Sequence, residues 1–190
     1  GGGKKDKTSF LQDKATIPIK GIPMIFYVID SLKKSNYIDR ILVVGNQECL
    51  QPIIGTEVED ILQQESSMMD NLLKGLTFLK EENQVLILTC DIPLIHRKVV
   101  DHFIEAALQT EADIYYPIVE KSRCTSYYPD ARRTYVTLRD GIFTGGNMVL
   151  LSPHVVDKIK ATAELLIKYR KNPIQMSRVL GFKFTIKLCG

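Results

Sequence analysis

The chain has 190 residues, 45% of them apolar and 25% charged, which suits one globular domain with a full core. Lys and Arg number 25 against 22 Asp and Glu, and the net charge of +3 is too small to argue for a nucleic-acid partner. No apolar run approaches the ~20 residues that span a bilayer and no signal peptide is visible. Four scattered cysteines (Cys49, Cys90, Cys124, Cys189) without a CxxC pair argue against a zinc site or disulfide framework, so a cytoplasmic setting is expected.

In chain order, Gly1-Gly2-Gly3 followed by Lys4, Lys5 and Lys7 reads as a glycine-rich basic loop, with a floppy terminus as the plain alternative. No strand precedes that loop, and the chain closes on Cys189-Gly190 straight after a strand-like segment, so both ends read as cut. Pro23 suits the first position of a helix. Met24, Ile25, Val28, Ile29 and Leu32 then recur at helical spacing to about Lys34. Ile38 to Val44 is a buried strand closed by Gly45, Gln47 to Ile54 a weak helix interrupted by Pro52, and Val58 to Leu62 a short strand. Ser66 and Ser67 stand before Met69, Leu72, Leu73, Leu76 and Leu79, a serine-capped amphipathic helix.

Gln84 to Ile95, QVLILTCDIPLI, is the central stretch. Val85 to Thr89 is an almost unbroken apolar run, the pattern of a strand covered on both faces. It ends on Asp91, followed shortly by Pro93, which cannot continue a ladder. In open parallel α/β sheets ligands collect at the carboxyl ends of strands, so a carboxylate there suits Mg²⁺ beside substrate phosphates. The alternative is an Asp that caps the helix beginning near Ile95 or His96. His96, His102 and His154 are dispersed, which suits surface or capping roles.

Val99 to Leu108 marks the next helix and Ala112 to Val119 the next strand. Strand and helix thus alternate from residue 23 to 119, which predicts βαβ units and a mainly parallel sheet. The grammar then changes. Cys124 to Arg133 is polar and reads as a loop, and Tyr135–Leu138 and Ile142–Phe143 flank Arg139-Asp140-Gly141 as a hairpin. Gly145-Gly146-Asn147 leads into a strand at Met148–Leu151, and Ser152-Pro153 opens a helix to about Arg170. A helical patch near Ile174–Leu180 and a strand at Phe182–Leu188 follow.

The succession GGGKKDK, Lys14 ahead of KGIPM, LTCDIPL and FTGGN resembles the MobA-like nucleotidyltransferases of the GT-A fold, from Gly1 to about Leu151 and more loosely beyond. That resemblance implies a three-layer α/β/α Rossmann-like fold, with a mixed, mainly parallel sheet and a β-hairpin insertion in the C-terminal half. It implies a single domain with a nucleotide-binding half (1–119) and an acceptor-binding half (120–190). The implied activity is Mg²⁺-dependent transfer of a nucleoside monophosphate from an NTP to a phosphorylated acceptor, such as a sugar phosphate or a molybdopterin-like molecule, with release of pyrophosphate. Gly2, Gly3, Lys7 and Lys14 match the triphosphate loop, although the family usually has arginine where Lys7 stands, and Lys4 and Lys5 compete for that role. Lys14 and Asp91 are the implied catalytic pair, and Asp91 the metal ligand. Ser66, Ser67 and Asn71 fall where the family contacts base or ribose, with helix capping as the alternative for the serines. Gly145, Gly146 and Asn147 match a segment near the acceptor, with a bulge beside a strand as the alternative for the glycines. Arg132 and Arg133 are placed to grip an acceptor phosphate or to lie in water. The resemblance also implies a second metal ligand, in an acidic or Asn-containing motif after the last sheet strands, and no such motif follows Leu188 in this sequence. The implied partners are an NTP and a small phosphorylated acceptor, not nucleic acid or membrane, and a homodimer is left open. A GT-A glycosyltransferase is a competing reading, weakened by Asp91-Ile92-Pro93 in place of DxD. A silent nucleotide-sensing domain is another.

Overall fold

The computed structural model describes residues 14–155. Gly2, Gly3 and Lys7, and the helices and strand expected after Val155, lie outside the described residues.

A 3-10 turn at Lys14–Thr16 leads into a small hairpin of β1 (Pro18–Ile19) and β2 (Ile22–Pro23). Its two-residue loop, Lys20-Gly21, has positive φ at both positions, 51° and 82°, the mirror-image turn that matches strand twist. This hairpin is an addition to the sequence reading. It moves Pro23 from the first helical position to the N-cap of α1 (Met24–Lys33), with φ −53° and ψ 136°. Helix α1 buries Ile25, Val28, Ile29 and Leu32, the spacing that predicted it.

The order then runs β3 (Leu42–Gly45), α2 (Gln47–Ile54), β4 (Asp60–Gln63), α3 (Met68–Phe78), β5 (Val85–Leu88), α4 (Arg97–Leu108) and β6 (Ile114–Tyr115). It continues through β7 (Ile118–Glu120), α5 (Lys121–Tyr127), β8 (Val136–Leu138), β9 (Gly141–Gly145) and β10 (Met148–Leu151), and closes on a 3-10 turn at Pro153–Val155. Helix α2 is continuous through Pro52.

The mainly parallel sheet expected from the alternation is not what forms. Among the described residues, β3 and β4 pair in parallel, with Leu42 opposite Asp60, and every other pairing is antiparallel. Alternation predicts parallel pairing only where successive strands become neighbours. Here β10 returns late in the chain and inserts between β5 and β6, antiparallel to both. The fold is mixed α/β.

Helices cover both faces of this sheet. Leu86 and Leu88 pack on the α1–α4 side with Val28, Leu32, Val100 and Ile104. Val85 and Ile87 face α3 through Leu72 and Leu76. Strand β10 repeats the pattern, Leu150 meeting Phe103 and Ala107 while Leu151 meets Leu76. Sheet residues buried on both sides explain why Val85–Leu88 reads as a continuous apolar run rather than an alternating one.

Polar contacts fix α1 against α4. Ser35 Oγ and the Asn36 amide both donate to Asp101 Oδ1 (2.5 and 3.2 Å), and Arg97 Nη1 donates to the Lys34 carbonyl at 3.3 Å. Asp101 is buried, and these two donors satisfy it.

The second half departs from its expected outline in two places. The loop expected at Cys124–Arg133 begins inside α5. The strand expected over 112–119 is two strands in different sheets, β6 and β7, broken at Tyr116-Pro117. The hairpin of β8 and β9 forms, but Leu138 pairs with Gly141, so the two-residue turn is Arg139-Asp140 and Gly141 opens β9 with φ +147°, a value that favours glycine.

Candidate functional site

The carboxyl end of β5 meets the start of β10. Leu88 pairs with Met148, and one residue further the Thr89 amide donates to the Asn147 carbonyl at 3.3 Å. Asp91 follows, exposed, and among the described residues its side chain has no hydrogen bond or ion pair. It does not cap α4. The cap is His96, whose Nδ1 accepts from the Lys98 amide at 3.2 Å, and the turn before it is closed by Ile95 N to Ile92 O at 3.0 Å. Ser31 Oγ ties that turn to α1 by donating to the Ile95 carbonyl at 2.8 Å. The carboxylate is therefore held on a braced loop with its own oxygens uncommitted among the described residues.

Lys14 is exposed, and its neighbour Ala15 is buried in the cluster of Ile25, Ile29, Leu50, Ile54 and Ile61. Cys90 packs on that same cluster. The residues next to Lys14 and next to Asp91 are thus anchored on one apolar body.

Gly145, Gly146 and Asn147 lie where the chain leaves one sheet for the other. Ile118 pairs with Gly145 and Tyr115 with Leu150, so residues 116–117 face residues 146–149, a pronounced bulge. The glycines are explained by this crossing. A β-carbon on Gly145 would run into the Tyr116 hydroxyl, and one on Gly146 would lie 2.8 Å from Pro117 Cγ. The Gly146 amide donates to the Pro117 carbonyl at 2.8 Å. Asn147 is exposed, with its backbone carbonyl committed to Thr89.

Tyr116 had no place in the sequence reading. Its side chain is 49% exposed, yet partial burial raises its pKa above the usual tyrosine value. The signal for it was present as a Tyr-Pro step inside an expected strand, since proline breaks a central ladder and marks a change of direction.

Arg132 and Arg133 are exposed on the segment before β8. Val136 pairs with Phe143, so the chain ahead of Val136 leaves the hairpin at the end where β9 reaches Gly145. The two arginines and the Gly145–Asn147 segment therefore belong to the same end of the small sheet.

The residues expected at the base or ribose have local duties. Ser67 is the N-cap of α3; its Oγ accepts from the Asp70 amide at 3.1 Å and donates to Asp70 Oδ2 at 2.5 Å. Asn71 Oδ1 accepts from the Glu65 amide at 2.6 Å, closing the β4–α3 loop. Ser66 is exposed beside them. Among the described residues no group of three or more His, Cys, Asp or Glu side chains is arranged to hold a metal, so any cation at Asp91 would rely on substrate oxygens or on residues outside that set. No helix among them is long and apolar enough to cross a membrane.

The sequence matches the MobA-like NTP transferase domain over residues 2–172. The chain belongs to that family. Its similarity to 2-C-methyl-D-erythritol 4-phosphate cytidylyltransferase of Clostridium acetobutylicum is 27% identity over 113 residues, covering 55% of this chain and 49% of that protein. The cytidylyltransferase of the same description from Clostridium beijerinckii is 21% identical over 118 residues, 58% of this chain and 52% of that one. The chain spans about half the length of the curated relatives it matches. A hypothetical transferase from Thermus thermophilus superposes with a TM-score of 0.72 at 31% identity, over 89% of this chain and 69% of that one. A CMP:2-keto-3-deoxy-manno-octonic acid synthetase solved with CTP superposes at 0.66 with 12% identity, over 88% and 79%, a likeness of fold alone. Family membership accords with the mixed α/β architecture.

Proposed function

We propose that this chain transfers a nucleoside monophosphate from an NTP to a phosphorylated small-molecule acceptor, releasing pyrophosphate. Asp91 carries the reading: a carboxylate with no partner among the described residues, on a braced loop beyond the carboxyl end of β5. In the reaction an acceptor phosphate oxygen attacks the α-phosphorus in line, and the bond from that phosphorus to the pyrophosphate oxygen breaks. Such chemistry calls for positioning and charge stabilisation rather than a protein nucleophile. Asp91 offers hard oxygen donors of the kind Mg²⁺ accepts beside phosphates, and the ion would neutralise phosphate charge there. Lys14 supplies a cation for the triphosphate, together with the backbone of Gly2 and Gly3 and the charge of Lys7. Asn147 can both donate and accept toward an acceptor, and Arg132 and Arg133 offer guanidinium forks for its phosphate. Because Ser67 and Asn71 are engaged in the β4–α3 loop, Ser66 is the freer of the three for a ribose or base contact.

CTP is the first nucleotide to try, given the cytidylyltransferases among the relatives. The deciding experiment screens the four NTPs with Mg²⁺ against phosphorylated acceptors, 2-C-methyl-D-erythritol 4-phosphate among them, and reads pyrophosphate release. Acceptor-dependent pyrophosphate supports the reading. Nucleotide binding without turnover across the whole screen would make this a sensing domain instead.

A further inference from the structure

Strand order gives the site a third edge. Strands β5 and β6 are both antiparallel to β10, so their carboxyl ends lie at the same edge of the sheet, with the start of β10 between them. Across that edge stand Asp91 beyond β5, Asn147 before β10, and Tyr116 directly after β6. Two ladder spacings separate the outer strands, roughly 10 Å. The register sets Tyr116 level with Ile87, so Asp91 stands four residues further along the strand direction as well as across the sheet.

Tyr116 is held there by backbone geometry. Its hydroxyl occupies the space a side chain on Gly145 would fill, and Pro117 behind it is pinned by the Gly146 amide at 2.8 Å. Other tyrosines show how this chain ordinarily uses a phenol. Tyr27 donates to the Ile19 carbonyl at 2.8 Å, Tyr37 to Glu105 at 3.0 Å and Tyr115 to the Thr110 carbonyl. Tyr127 stands 79% exposed in water. Tyr116 is partly enclosed, fixed in position, and without a hydrogen-bond partner among the described residues.

We propose that the Tyr116 hydroxyl is a specificity determinant of the acceptor site, donating a hydrogen bond to an anionic oxygen of the acceptor's phosphate. This assignment rests on the nucleotidyl-transfer reading for its reaction, but its binding test does not. Phosphate oxygens only accept, and a neutral phenol donates. A tyrosine phenol is protonated at neutral pH in any case, and partial burial raises its pKa further.

The test compares wild type, Tyr116→Phe and Gly145→Ala by calorimetry with two kinds of probe. One is CTP with Mg²⁺; the other is a set of phosphomonoesters (glycerol 3-phosphate, glucose 1-phosphate and 2-C-methyl-D-erythritol 4-phosphate). Tyr116→Phe keeps the ring and removes the donor. It should weaken phosphomonoester binding about tenfold or more, as expected for one hydrogen bond to a charged group, and leave CTP affinity within about twofold. Gly145→Ala displaces the hydroxyl and should weaken the same probe. Thermal midpoints separate this from a packing role, because Tyr116→Phe should leave the midpoint unchanged. Phosphomonoester affinity that is equal in wild type and Tyr116→Phe, or absent from wild type, overturns the proposal. Tyr116-dependent phosphomonoester binding in a protein that releases no pyrophosphate overturns the transfer reading instead and leaves this site standing. Full turnover with an unchanged acceptor KM in Tyr116→Phe overturns only the role given to Tyr116.

Discussion

Replacing Asp91 with Asn removes one negative charge and little else. The side chain is exposed and lacks a hydrogen bond or ion pair among the described residues, so no native contact is broken. The ladder beneath it, Leu88 opposite Met148 and Thr89 N to Asn147 O at 3.3 Å, is made by backbone and stays in place. Stability should therefore move by no more than about 0.5 kcal/mol, the range for exposed substitutions. In a domain of this size that shifts the thermal midpoint by only about 1–2 °C. The effect on turnover should be of another order. Loss of a preorganised electrostatic group typically costs about 2.7–4 kcal/mol, or roughly 10²–10³ in kcat. The assay is pyrophosphate release at saturating NTP over a Mg²⁺ titration, with urea denaturation run in parallel. Asp91→Asn should be folded, slow, and shifted to higher Mg²⁺ for half-maximal rate. A folded Asp91→Asn protein with kcat within about threefold of wild type, at the same Mg²⁺ demand, would refute the assignment.

Lys14→Ala should lower kcat/KM for the NTP by about 2–4 kcal/mol of transition-state binding, and a loss under about threefold would make Lys14 a surface residue. Asn147→Ala keeps the backbone carbonyl that receives the Thr89 amide, so with Arg133→Ala it should raise KM for the acceptor more than for the NTP; the reverse split would exchange the two halves of the site. Gly146→Ala forces a β-carbon to 2.8 Å from Pro117 Cγ and should cost about 1–3 kcal/mol in urea unfolding, with an unchanged denaturation midpoint as the contrary result. Arg40 donates to Glu59 at 2.6 Å and holds its carboxyl below the usual glutamate range. A depressed folded pKa means that the unfolded chain binds more protons as pH falls through that window, so wild type loses this contribution below the ordinary carboxylate range. Arg40→Gln should show less of that acid-side decline, and identical pH–stability curves for the two proteins would count against the linkage.

Much of the local structure was written into the sequence. Buried positions at helical spacing located α1, α3 and α4, the doubly covered run Val85–Leu88 located β5, and Asp-Gly located the β8–β9 hairpin. These signals work because the period of burial is set by the element itself. The sequence also singled out Asp91 and Gly145–Asn147, 54 positions apart from Asp91 to Gly145, before their proximity was visible. What it could not supply was strand order. Nothing in Met148–Leu151 says that it will lie between β5 and β6, and with that insertion the expected parallel sheet becomes a mixed one. The same insertion brings Asn147 beside Thr89 and puts Tyr116 on the far side of the edge from Asp91. Roles that depend on local hydrogen bonds, such as Ser67 as a cap, follow from a few neighbouring residues. Roles that depend on which backbones cross, as at Gly145 and Tyr116, are fixed by long-range pairing, and only the tertiary structure decides them.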